Sequence, residues 1–138
     1  MDKLNEITSL FFQKHWNISS EPLPEWSEEW SFNGTIPNHD KQGCYALYSN
    51  SEIIYIGVGI GNGDGNHEGC GLGNRLKRYW KVNKNINPKS KYIQTERWEE
   101  VTSIKTIGFP PEYFYLAAAL EIFLIDKLKP IRNKSFNK

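Results

Sequence analysis

Between Tyr113 and Ile125 every residue is apolar or aromatic except Glu121. Pro110, Pro111 and Glu112 open the run, which suits a helix start, because proline fits the first turn and an acid favours the positive end of the dipole. Lys127 and Lys129 stand where the dipole prefers cations, and Pro130 stops the helix. On that helix Glu121 shares a face with Phe114, Ala117, Ala118, Leu124, Ile125 and Leu128, its neighbours at three-, four- and seven-residue spacing. The face is apolar, so it is expected to pack against the rest of the fold. A carboxylate turned inward costs several kcal/mol unless it is paired or binds a metal. What Glu121 meets is therefore the first functional question, with a structural Arg or Lys partner as one answer and a metal as the other.

The run is too short and too interrupted for a membrane span, which needs roughly 20 apolar residues. At 138 residues the chain is expected to form a single domain, 1–138, with one core. No signal or transit peptide is read at the amino terminus, where Asp2 and Glu6 flank no long apolar block. Two cysteines, Cys44 and Cys70, make neither a disulfide framework nor a four-ligand zinc site. A cytoplasmic, reduced protein is the expectation.

The net charge of +1 gives no global argument for a nucleic-acid partner, but its distribution does. From Met1 to Trp30 the acids Asp2, Glu6, Glu21, Glu25, Glu28 and Glu29 outnumber Lys3 and Lys14. From Gly69 to Thr95 the only charges are the bases Arg75, Lys77, Arg78, Lys81, Lys84, Lys89 and Lys91. Tyr79, Trp80 and Tyr92 interleave with them, as on a surface that tracks a phosphate backbone. A solvated basic helix has the same look.

Leu4, Ile7, Leu10 and Phe11 recur at helical spacing and predict an amphipathic helix from about Lys3 to Trp16. Pro22, Pro24 and Pro37 then break regularity, leaving an irregular arm whose Trp26, Trp30 and Phe32 pin it to the core. Gly43 to Tyr48 and Ile53 to Val58 are β-branched and aromatic runs around a polar turn, which predicts a β-hairpin. Gly59 to Gly73 reads as a glycine-rich loop, and Asn74 or a neighbour is expected to cap a helix running through Lys81. Asn83 to Ser90 reads as a basic loop, and Val101 to Ile107 alternates as a third strand does.

The glycine-rich loop lacks the G-x-G-x-x-G spacing, and no lysine follows a glycine as a phosphate loop requires. Asp64, His67, Glu68 and Cys70 match neither a calcium loop nor a structural zinc site. Cys44 has no histidine nearby in sequence and is expected to be buried, which argues against a nucleophile. A long loop of this kind is either a flexible connection or an insertion that touches substrate.

What survives is Tyr45, Tyr55, Arg75, Tyr79, Glu121 and Asn133. Gly43-Cys44-Tyr45, followed after a short turn by Tyr55-Ile56-Gly57, resembles the signature hairpin of the GIY-YIG nucleases. Arg75, with Tyr79 four residues later, stands where that family has an arginine and a Tyr or His on the first helix after the hairpin. Glu121 matches the family's metal-binding glutamate in a later helix, and Asn133, after Lys129-Pro130, its closing asparagine. The resemblance spans 43–133, so residues 1–42 read as an appended helix and Trp-rich arm. Cys44 replaces the usual aliphatic residue, and Val58 leaves no catalytic lysine after the second triplet.

The resemblance implies an α+β fold, with a small three-stranded antiparallel sheet flanked by helices. It also implies an endonuclease that hydrolyses phosphodiester bonds in DNA with one Mg2+ or Mn2+ ion. Glu121 would hold that ion, Arg75 would grip the phosphate, Tyr79 would donate to it, and Asn133 would orient Glu121 or a metal-bound water. Arg75, Lys77, Arg78, Lys81 and Lys84 would contact the DNA. A tyrosine would activate water, and since an unperturbed phenol titrates near pH 10, about 4 kcal/mol of help is needed at neutrality. Tyr45 is expected to be that base with Tyr55 as its partner, or the reverse. The competing expectations are a non-catalytic nucleic-acid-binding module, or an interaction domain in which Glu121 and Arg75 form a buried pair.

Overall fold

The strand Gln42–Ser49 (β1) is apolar on both sides and buried along almost its whole length, so both of its faces need cover. In the computed structural model, which describes residues 2–60, 71–82 and 92–133, β1 is the middle strand of three. It pairs antiparallel with Glu52–Gly59 (β2) on one side and Ser103–Phe109 (β5) on the other. Alternation then splits the interior in two. Cys44, Ala46 and Tyr48 turn toward the helices Lys3–His15 (α1) and Tyr115–Leu128 (α3). Tyr45 and Leu47 turn the other way, toward the short helix Leu72–Leu76 (α2). The fold is α+β, with a three-stranded antiparallel sheet between helices, as expected.

The amino-terminal helix is capped by Asp2, whose carboxylate accepts from the Asn5 amide at 2.9 Å and pairs with Lys105 at 3.2 Å. Its apolar stripe, Leu4, Ile7, Phe11 and Phe12, is buried against α3, with the Phe11 and Phe123 rings 5.5 Å apart. The arm is pinned as predicted. Trp30 and Phe32 are buried, and Trp26 donates its indole N–H to Thr8 at 2.8 Å. Single bridges from Trp26 to Ile107 and from Trp30 to Ile104 lay the arm along the outer side of β5. That contact covers a sheet edge that would otherwise invite another chain.

Three local expectations are corrected. The helix after the glycine-rich loop stops at Leu76 rather than reaching Lys81, and the residue that caps it, near Asn74, is Gly71. The chain instead forms a second small sheet, Trp80–Val82 (β3) against Tyr92–Gln94 (β4), because Trp80 is drawn onto the Trp30 ring at 4.7 Å. Tertiary packing overrides a helical pattern there. The third strand begins at Ser103, two residues later than read, and is largely buried on both faces. The last helix proper starts at Tyr115 after a 3-10 turn at Pro111–Tyr113, and ends on Lys129 in the left-handed region (φ 48°). Among the described residues, no helix is long and apolar enough to cross a membrane.

Candidate active site

Tyr45 on β1 lies directly across from Gly57 on β2. A β-carbon at Gly57 would overlap the Tyr45 ring, so the glycine is what lets the phenol lie flat across the neighbouring strand. Gly59, two residues on, does the same for α2. A β-carbon there would come within 3.1 Å of the Leu72 backbone and 3.3 Å of the Arg75 side chain. The two glycines thus set the separation between the hairpin and the helix that holds Arg75.

Of the three candidate tyrosines Tyr45 and Tyr79 are buried, 2% and 1% exposed, and their hydroxyls meet at 2.7 Å. Tyr79 is not one helical turn above Arg75, as sequence spacing predicted, but lies in the turn beyond α2. Its amide donates to Leu76 at 3.0 Å and its carbonyl accepts from Thr95 at 3.1 Å. It reaches the cluster by a different local conformation. Tyr55, half-exposed, completes the group, its ring 6.3 Å from that of Tyr45 and 6.5 Å from that of Tyr79.

Burial pushes the Tyr45 phenol far above the ordinary tyrosine range, with the Tyr79 hydroxyl adding to it and Arg75 acting in the opposite sense. Burial also raises Tyr79, against the pull of its hydrogen bond to Tyr45 and of Arg78 and Arg75. A phenol held in its neutral form this firmly makes a poor base. Of the two assignments left open by the sequence, the burial of Tyr45 favours Tyr55 as the phenol that meets water. Tyr55 is the member of the trio that meets solvent.

Glu121 is half-exposed, at the margin of the α3 face rather than deep within it. The residues of α3 that are fully buried are Ala117, Leu120, Leu124 and Ile125, while Phe114, Ala118 and Leu128 are only half-buried. Burial raises the Glu121 carboxyl above its usual range, and the Arg75 guanidinium pulls it back down. No ion pair engages Glu121 among the described residues, so the structural Arg or Lys partner foreseen as one possibility is not found there. Its neighbour Cys44 is buried, donates to the Ala117 carbonyl at 3.0 Å, and has its thiol pushed up by burial and by the Glu121 charge. Cys44 is a packing residue.

A desolvated carboxylate with an incomplete counter-charge is what a cation would neutralise, so Glu121 fits a metal ligand. Among the described residues no group of three His, Cys, Asp or Glu gathers that could hold an ion. A single carboxylate suits Mg2+ or Mn2+, because magnesium keeps several waters and binds through one or two carboxylates plus substrate phosphate. It does not suit a structural zinc ion.

Asn133 stands apart from the others. Its side-chain oxygen accepts from the Ile56 amide and its NH2 donates to the Ile56 carbonyl, both at 2.9 Å. With the amide occupied at both ends and 2% exposed, Asn133 latches β2 and does not orient Glu121. Sequence reasoning missed Trp98 and Arg132. The Trp98 ring meets Tyr55 at 5.3 Å and Tyr79 at 4.9 Å, edge to face, and the Arg132 guanidinium stacks over Trp98 at 3.9 Å. Arg132 also pairs with Glu100, which holds the stack in place. No spacing in the sequence signals this buttress, since it joins a 3-10 turn to the carboxy-terminal segment.

Of the expected DNA contacts, Lys77, Arg78 and Lys81 are exposed, and Arg75 is half-buried beside the phenols. Lys84 lies outside the described residues, as do Asp64, His67, Glu68 and Cys70 of the glycine-rich loop. Comparison of the chain with protein-family models, with curated proteins and with solved structures finds no match.

Proposed function

We propose that the chain is a metal-dependent endonuclease of the GIY-YIG kind, hydrolysing phosphodiester bonds in DNA. The observation that supports this reading is the convergence of the hydrogen-bonded Tyr45 and Tyr79, the Tyr55 ring 6.3 Å from Tyr45, and Arg75 packed against Gly59 of the same hairpin, with Glu121 near enough for the Arg75 charge to lower its carboxyl. Residues distant in sequence share one electrostatic neighbourhood, and it contains an acid with no ion-pair partner among the described residues.

Each side chain has a role that its surroundings allow. Arg75 grips the non-bridging phosphate oxygens in a fork and offsets the charge that grows as the phosphorus becomes five-coordinate. Glu121 would hold a Mg2+ or Mn2+ ion, whose Lewis-acid chemistry would be charge neutralisation at the phosphate. Tyr55 takes the water-activating role, because it is the phenol open to solvent. Tyr45 and Tyr79 hydrogen-bond to one another and form the wall against which Tyr55 packs. Trp98 and Arg132 support Tyr55 and Tyr79 from the other side, and Asn133 keeps β2 in register beneath them. Lys77, Arg78 and Lys81 attract the backbone on either side of the scissile bond.

The test is a plasmid assay. Supercoiled DNA incubated with the protein and Mg2+ or Mn2+ is expected to become open-circular, and to stay intact in EDTA. No nicking of supercoiled, linear, branched or single-stranded DNA with either metal would remove the reading.

A further inference from the structure

Beyond α2 the chain builds a feature that hydrolysis itself does not need. A groove of about 400 Å3 opens between the β3–β4 hairpin, the arm and α2, lined by Trp80, Tyr92, Lys77, Asn74, His39 and Ile36, among others. That volume is at the small end for a ligand site. Two aromatic rings, Trp80 and Tyr92, line one wall: Trp80 lies 4.7 Å from the buried Trp30, and Tyr92 lies 6.0 Å from both. Trp30 fixes the other two from behind, while Trp80 and Tyr92 remain half-exposed. The described stretch from Gly71 to Val82 bears Arg75, Lys77, Arg78 and Lys81 and no acid. Rigid, partly exposed rings beside cations suit a flat, electron-rich ligand attached to a phosphate.

We propose that this groove receives an unpaired nucleobase of the bound DNA strand, stacked on Trp80 and Tyr92 with its phosphate against Lys77. The proposal rests on the nuclease reading for its partner and goes beyond it in naming what is recognised. Arg75 is in the last turn of α2 and Lys77 caps that helix, so one short element carries both the guanidinium and a wall of the groove. Stacking accepts any base, because every base has a π face. The substrate is therefore DNA with at least one unstacked nucleotide, as at a flap, a bulge or a frayed end.

Binding in EDTA separates this from catalysis. A fluorescein-labelled oligothymidylate and an abasic oligonucleotide of the same length and charge are titrated against wild type, Trp80→Leu and Lys77→Ala. Wild type is expected to bind the oligothymidylate about tenfold more tightly than the abasic strand, within the range measured for base–aromatic stacking. Trp80→Leu is expected to lose that difference, while Lys77→Ala keeps it and weakens both strands with a shallower salt dependence. Equal affinity of wild type for the two strands would overturn the proposal, and this comparison stands even if Trp80→Leu fails to fold. A folded Trp80→Leu that still discriminates would overturn it too. Plasmid nicking without base discrimination would remove the groove and leave the nuclease; base discrimination without nicking would do the reverse.

Discussion

The hydroxyls of Tyr45 and Tyr79 share a hydrogen bond of 2.7 Å inside the smaller of two cores, with Tyr55 alongside. The pair joins the central strand to the turn that follows α2, and so ties the hairpin to the segment bearing Arg75. Removing one hydroxyl leaves the other buried without its partner, which typically costs about 1–3 kcal/mol. Tyr45→Phe and Tyr79→Phe are each expected to lose stability in that range. The double variant should lose clearly less than the sum, which urea unfolding of all four proteins measures.

Gly57 is the other half of that arrangement, since no β-carbon fits beneath the Tyr45 ring. Gly57→Ala is expected to cost about 1–3 kcal/mol by overpacking. It should also displace Tyr45, and pairing it with Tyr45→Ala should recover part of the loss, as thermal unfolding would show.

Asn133 satisfies both polar groups of the Ile56 backbone. Asn133→Ala leaves a buried N–H and C=O open, and a destabilisation of about 2–4 kcal/mol is expected. If Asn133 acts only as this latch, nicking by Asn133→Ala measured well below its melting temperature should stay within about tenfold of wild type. A larger loss in a folded protein would instead give the side chain a part in the chemistry.

Glu121 should weaken the fold at neutral pH and cease to do so in acid. Burial raises its carboxyl above the reference 4.5 in the folded state, so the folded protein holds the proton more tightly than the unfolded chain does. The penalty is complete above the folded pKa and vanishes below the unfolded one. Glu121→Gln is therefore expected to melt higher than wild type at pH 7, with the gap closing toward pH 4. Mg2+ or Mn2+ should raise the melting temperature of wild type and not of Glu121→Gln.

Much of this was legible in the sequence, for identifiable reasons. The hairpin and the last helix announce themselves because two β-branched and aromatic runs about a polar turn, and an apolar run interrupted only by Glu121, leave few other solutions. Arg75 and Glu121 were legible as a guanidinium and an acid in otherwise simple surroundings. Tyr79 was placed correctly for the wrong local reason, since the helix that was to deliver it ends three residues earlier. The β3–β4 hairpin was invisible because its three-residue strands are held by the Trp30 ring, which comes from 50 residues away in sequence. Which of Tyr45 and Tyr55 meets solvent was open in the sequence, because both are tyrosines on adjacent strands and only burial distinguishes them.

The central claim is that Tyr55, Arg75 and Glu121 form one phosphodiester-cleaving site. Initial rates of supercoiled-plasmid nicking in Mn2+ for wild type, Tyr55→Phe, Arg75→Ala and Glu121→Gln test it most directly, with unfolding curves confirming that each variant is folded. The account predicts nicking by wild type and a loss of about 10²-fold or more in each variant. Wild-type rates in Arg75→Ala or Glu121→Gln, or no nicking by the wild type itself, would contradict it.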